Sequence, residues 1–139
     1  MPPVGCGWHV WIWTGPWATI TVVGKTVLIV DDHPSFRASA RYMLEADGYE
    51  VVGEAADGAS AINAVRELQP DVVLLDIRLP DLDGLQVADR LAANGGAPAI
   101  VLTSSRDRSD FGSEIDAAPA HGFIPKSELS AEAIALLVG

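Results

Sequence analysis

From Thr26 onward, short apolar runs alternate with segments whose apolar residues recur at helical spacing, and the pair repeats about five times. That alternation predicts an α/β fold. Val27-Leu28-Ile29-Val30 is the first predicted strand, and Asp31-Asp32-His33-Pro34 follows it, where Asp32 or His33 can cap a helix and Pro34 suits its first turn. Phe36, Ala40, Met43 and Leu44 fall on one face of that helix, and Gly48 is placed to end it. Residues 49–55 alternate as a second strand; Ile62, Val65 and Leu68 mark a second helix, stopped by Pro70. Val72-Val73-Leu74-Leu75 is apolar on both faces up to Asp76, as expected of a central parallel strand covered by helices on both sides. Val87, Ala88, Leu91 and Ala92 give a third helix closed by Asn94-Gly95-Gly96, and residues 99–103 a fourth strand. Between Ser104 and His121 the pattern fades to a faint stripe around Phe111 and Ile115, which predicts a short or mobile helix. Residues 122–126 read as an edge strand, because Pro125 has no N–H to give a central ladder, and Ala131, Ile134, Ala135 and Val138 form the last helical stripe.

Composition narrows the picture. A chain of 139 residues, 49% hydrophobic and 20% charged, is long enough for one domain with its own core. Nineteen acidic against nine basic side chains give a net charge of −10, which repels phosphate backbones and anionic lipid. The expectation is no direct nucleic-acid binding by this chain alone and no membrane association. Cys6 is the single cysteine, so no internal disulfide and no Cys/His zinc set is available, compatible with a cytoplasmic setting. Residues 1–24 hold all four tryptophans and no formal charge, interrupted by Gly5, Gly7, Gly15 and Pro16. They are expected to be an N-terminal extension outside the fold, with residues 25–139 forming the domain.

In an open parallel sheet, ligands bind beyond the carboxyl ends of the strands. Asp31, Asp32, Asp76, Thr103 and Lys126 all fall at predicted strand ends. One acid at a strand end is most often a helix cap, but their coincidence on one edge points to a site. Carboxylates gathered there repel each other, which makes sense with a hard divalent cation bound through oxygen, magnesium being the natural one. Asp76 can then both touch the metal and attack phosphorus, Thr103 can hydrogen-bond a phosphoryl oxygen, and Lys126 can neutralise the transferred group. The reaction class read from these residues is phosphoryl transfer to an aspartate.

The segments 27–32, 71–84, Leu102-Thr103-Ser104 and Gly122-Phe123-Ile124-Pro125-Lys126 resemble, in this order, the receiver domain of bacterial two-component response regulators, over Thr26 to about Val138. The resemblance implies a flavodoxin-like, doubly wound five-stranded parallel sheet of order 2-1-3-4-5. It implies that Asp76 is the phosphoacceptor, that Asp32 ligates Mg2+ directly and Asp31 largely through water, and that the Arg78 backbone carbonyl completes the protein's share. Thr103 and Phe123 become the switch pair, with Lys126 beside the phosphoryl group. It also implies a histidine kinase or phosphotransfer protein as partner, a homodimer through helix 4, strand 5 and helix 5, and no turnover of an external substrate. Asp31-Asp32-His33-Pro34-Ser35-Phe36-Arg37 resembles receivers that usually precede a helix-turn-helix output domain. Ser127 stands where many members have a proline, and Arg78 and Ser105 occupy positions that tune phosphoryl lifetime in the family.

Competing readings fare worse. Haloacid dehalogenase-like phosphatases combine the same residue types, but begin with the nucleophile motif, whereas here the acid pair comes first. A calcium loop at residues 79–90 lacks ligands at Leu79 and Arg90. A pseudo-receiver that only binds partners would not need the full Asp31, Asp32, Asp76, Thr103, Lys126 set.

Overall fold

The runs of Val, Ile and Leu that mark the strands are β-branched or bulky, suit an extended backbone, and bury both faces. The computed structural model describes residues 25–93 and 98–138. Its strands are β1 (Thr26–Val30), β2 (Glu50–Ala55), β3 (Val72–Asp76), β4 (Ala99–Ser104) and β5 (Gly122–Pro125). Its helices are α1 (Pro34–Ala46), α2 (Gly58–Leu68), α3 (Gly84–Ala93), α4 (Glu114–Ala117) and α5 (Ala131–Val138). The five strands form one sheet of order β2-β1-β3-β4-β5, all neighbours parallel, which is the predicted topology.

Period-two alternation sends successive side chains to opposite layers. Val27, Ile29, Val72, Leu74 and Val101 pack with Ala40, Leu44 and Ile134 of α1 and α5. Leu28, Val30, Val73, Leu75 and Leu102 pack instead with Ala61, Val87 and Leu91 of α2 and α3. Each fully buried Leu, Ile or Val contributes about 1.5–3 kcal/mol relative to exposure, so burial on both faces anchors the sheet that carries the site.

Several local expectations are corrected. Gln69, not Pro70, stops α2: it takes the left-handed conformation at φ 48°, and its N–H bonds the Val65 carbonyl. Leu68, expected in the core stripe, is 43% exposed. Lys126 is not the last residue of β5; it opens a 3₁₀ turn, Lys126–Glu128. The weak pattern between Ser104 and His121 resolves into a 3₁₀ turn, Arg108–Phe111, and the four-residue α4. Gly48 follows the end of α1 at φ 96°, as a helix-terminating glycine should. Residues 1–24 and Asn94-Gly95-Gly96 lie outside the described residues. No described helix is long and apolar enough to cross a membrane.

Candidate functional site

Register builds the site. Val30 pairs with Leu75, so the residues that follow, Asp31 and Asp76, stand side by side at the carboxyl edge of the sheet. Asp76 pairs with Thr103 and Ser104 with Pro125, which brings Lys126 to the same edge. Asp31 and Asp76 are 0% and 3% exposed, while Asp32 stands in solvent. One ligand atom from each of Asp31, Asp32, His33 and Asp76 falls within 4.8 Å of the others.

The positive charge in this cluster comes from Lys126. Its ammonium lies 2.5 Å from Asp31 Oδ2 and 3.4 Å from Asp76 Oδ2, and 4.3 Å above the Phe36 ring centroid. Asp31 Oδ1 accepts the His33 backbone N–H at 2.8 Å and faces His33 Nδ1 at 3.0 Å; Asp32 Oδ1 is also 3.0 Å from that nitrogen. No donor meets Asp31 Oδ2 at a well-aligned angle, and its close partner is the Lys126 ammonium.

These surroundings split the two buried carboxyls. Burial raises Asp31, but the Lys126 ammonium and the His33 amide outweigh it and hold the group below its ordinary value. Asp76 is pushed up to about 6 by burial and by the charge on Asp31, against the pull of Lys126 and the Arg78 N–H. Asp31 therefore stays ionised, and Asp76 is the first of the pair to take a proton.

The loop after β3 is pinned at several points. Gly84 N–H donates to the Ile77 carbonyl at 2.7 Å, Arg78 bridges to Asp83, and Arg78 N–H donates to Asp76 Oδ1 at 3.2 Å. Asp81 reaches across to α2, accepting Gly58 N–H at 2.7 Å and Ala59 N–H at 3.0 Å, and these amides hold its carboxyl below the usual range. Asp83 accepts Leu85 N–H at 2.8 Å. Both acids thus serve helix starts rather than a calcium loop, and the loop that presents the Arg78 carbonyl is fixed at both ends.

Thr103 is at the edge but not in the cluster. Its buried hydroxyl donates to the Ile124 carbonyl at 2.7 Å, within the sheet. Phe123 is half-buried, its ring centroid 6.0 Å from that of Phe111 at an interplanar angle of 60°. Three participants escaped sequence reasoning in these roles: the His33 ring, read as a cap although its side chain makes no capping bond; Phe36, read only as core; and Asp81. The adjacency of His33 to the acid pair was the only signal for the first.

Buried hard-oxygen donors, one of them without an aligned donor, form a set that fits a hard divalent cation. The family model described as the response regulator receiver domain matches residues 27–137. The chain is 46% identical over 102 residues to the nitrate/nitrite response regulator protein NarP of Escherichia coli, covering 72% of this chain and 47% of that one. It is 43% identical over 113 residues to the positive alginate biosynthesis regulatory protein of Pseudomonas aeruginosa, covering 78% and 45%. The chain thus spans about half the length of the curated relatives it matches. Among solved structures, a two-component response regulator of the LuxR family from Aurantimonas superposes with a TM-score of 0.72 at 34% identity, over 79% of each chain.

Proposed function

Since this chain belongs to the response regulator receiver family, the phosphoryl-accepting switches of two-component signalling, we propose that Asp76 is its acceptor and that a phosphohistidine is its donor. The observation that supports this most directly is the position of Asp76: at the carboxyl end of the central strand, nearly buried, and flanked by Asp31 and Lys126. An Asp76 oxygen attacks phosphorus; the P–O bond forms as the P–N bond breaks, and the leaving imidazole nitrogen keeps the electron pair. Asp76 must be ionised for this, which its value of about 6 allows at neutral pH.

Asp31, Asp32, Asp76 and the Arg78 carbonyl would hold Mg2+, which supplies charge neutralisation for the phosphoryl oxygens. Lys126 leaves Asp31 Oδ2 and turns toward the new phosphoryl group, while the Phe36 face keeps the ammonium at the edge of the site. Thr103 exchanges its bond to the Ile124 carbonyl for a phosphoryl oxygen, and Phe123 moves with it. The signal leaves as a shifted population at α4, β5 and α5, read by a partner or by a second copy of the chain, with no external substrate turned over. A histidine kinase or phosphotransfer protein supplies the phosphoryl group, inside the cell, and DNA contact falls to a separate output domain.

Incubation with Mg2+ and acetyl phosphate followed by intact-mass measurement tests this reading. One phosphoryl group is gained by the wild type, and none by Asp76→Asn or without Mg2+. A folded protein that binds Mg2+ yet never gains mass, across times short enough to catch a labile phosphoryl group, overturns it in favour of a pseudo-receiver. Lys126→Met removes the ammonium that competes for Asp31, so Mg2+ affinity rises several-fold; equal or weaker binding by calorimetry would show that the ion pair does not oppose the metal.

A further inference from the structure

His33 is the member of the cluster that magnesium chemistry does not require. We propose that its Nδ1 is a metal ligand, which with Asp31 and Asp32 makes this edge a site for late first-row divalent cations such as Zn2+ and Co2+ as well as for Mg2+. The proposal rests on the reading that the acid pair holds a cation.

Distances carry it first. Nδ1 lies 3.0 Å from Asp31 Oδ1 and 3.0 Å from Asp32 Oδ1. Adjacent donor atoms of an octahedral ion with bonds of about 2.1 Å are separated by about 3.0 Å, so the nitrogen stands where a cis ligand belongs. The backbone then explains why the ring stays there. Pro34 disfavours helical geometry in the residue before it, and His33 is extended at φ −99°, ψ 110°, its side chain making no capping bond to α1. The ring is therefore turned to the acids instead of joining the helix.

A second feature also points to a ligand. Asp31 is fully buried, and its Oδ2, which faces the cluster, has no aligned hydrogen-bond donor; its one counter-charge is the Lys126 ammonium at 2.5 Å, the partner an arriving cation would replace. Imidazole nitrogen added to carboxylate oxygen moves a site from the all-oxygen preference of Mg2+ toward later first-row ions, whose affinities rise from Mn2+ through Co2+ to Cu2+ and fall again at Zn2+. The His33 ring is largely exposed, so an arriving ion can reach it from solvent. An Nδ1–H hydrogen bond to the two carboxylates has the same length, and spectroscopy separates the two arrangements.

The full chain is loaded with Mn2+ and its pulsed electron paramagnetic resonance spectrum recorded beside that of His33→Gln; Mg2+, Co2+ and Zn2+ affinities are measured for both by calorimetry. The expected result is a directly bound 14N coupling in the wild type that vanishes in His33→Gln, with Zn2+ and Co2+ affinity falling at least about tenfold and Mg2+ affinity changing less than about twofold. Among the described residues the other histidine, His121, accepts from Ile100 N near the start of β4, at the far edge of the sheet, and cannot supply the signal. Mn2+ bound without nitrogen coupling, or Zn2+ and Co2+ affinity untouched by His33→Gln, overturns the proposal and leaves the acid-pair reading standing. Loss of all cation binding only in Asp32→Asn and Asp76→Asn supports the acid pair, and absence of Mg2+ binding from the wild type overturns both.

Discussion

Asp76→Asn is expected to melt at a higher temperature than the wild type in metal-free buffer at pH 7.5. The buried Asp76 carboxyl is pushed up to about 6 from an ordinary 3.8, so the folded chain holds this proton more tightly than the unfolded chain does. For a group raised in that direction, the favourable contribution is complete below about 3.8 and declines as pH rises to about 6; above that the full cost of burying the charge is present. The cost is about 3 kcal/mol at most, because the shift is shared with Asp31. An amide keeps the acceptor for the Arg78 N–H, removes the repulsion from Asp31, and gives up only the distant contact with Lys126 at 3.4 Å. A gain of roughly 5–10 °C is expected in EDTA at pH 7.5, shrinking as the pH is lowered from 6 toward 4.

Magnesium inverts the comparison. A cation that binds the folded carboxylates stabilises in proportion to its saturation, and Asp76→Asn contributes one carboxylate fewer to hold it. Thermal scans in EDTA and in excess Mg2+, at several pH values, therefore separate charge repulsion from any general repair of packing. If the variant melts below the wild type in EDTA, or its advantage is the same at pH 4.5 and 7.5, the electrostatic account of this buried pair is wrong.

What could be read from the chain is what local pattern encodes. Apolar runs fixed β1, β3 and β4, and the polar residues immediately after them had to emerge at the carboxyl edge because parallel strands all point one way. That is why the chain itself places Asp31, Asp32, Asp76 and Lys126 at one edge. What escaped depends on contacts between segments far apart in sequence. Nothing near Phe36 announces that an ammonium 90 residues later will rest on its ring, and nothing near Asp81 announces that it will accept the first amides of α2. Gln69 is another case: residues other than Gly, Asn and Asp seldom take the left-handed conformation, so Pro70 is the stronger local signal, yet the bond to the Val65 carbonyl closes α2 one residue earlier. Thr103 shows the limit for function, since its position is legible but its partner, the Ile124 carbonyl, follows from the register of β5.

Gly84→Ala, a single methyl group at the start of α3, has the largest expected cost of any glycine change in the described fold. The reason is close approach rather than backbone conformation. A Cβ there would overlap the Asp76 carbonyl oxygen and lie 2.7 Å from Ile77 Cα and 3.0 Å from Asp76 C, all main-chain atoms of the strand end that carries the Asp76 carboxyl. Main chain cannot swing aside as a side chain can, so either α3 lifts from the sheet or the end of β3 is displaced. Lifting α3 loosens Val87, Ala88 and Leu91 from the core and strains the 2.7 Å bond from Gly84 N–H to the Ile77 carbonyl. Loss of about 3 kcal/mol or more is expected, together with weaker Mg2+ binding, because the Arg78 carbonyl is presented by the same loop. Gly53→Ala is the matched comparison. Its Cβ would meet Leu68 Cδ1 at 2.8 Å, the tip of a side chain that is 43% exposed and free to turn outward, so its cost should stay below about 1 kcal/mol. Urea denaturation of the two variants, with Mg2+ titrations on each, gives the ranking. Equal stabilities would mean that the junction of β3 and α3 is not the tight contact on which the position of Asp76 depends.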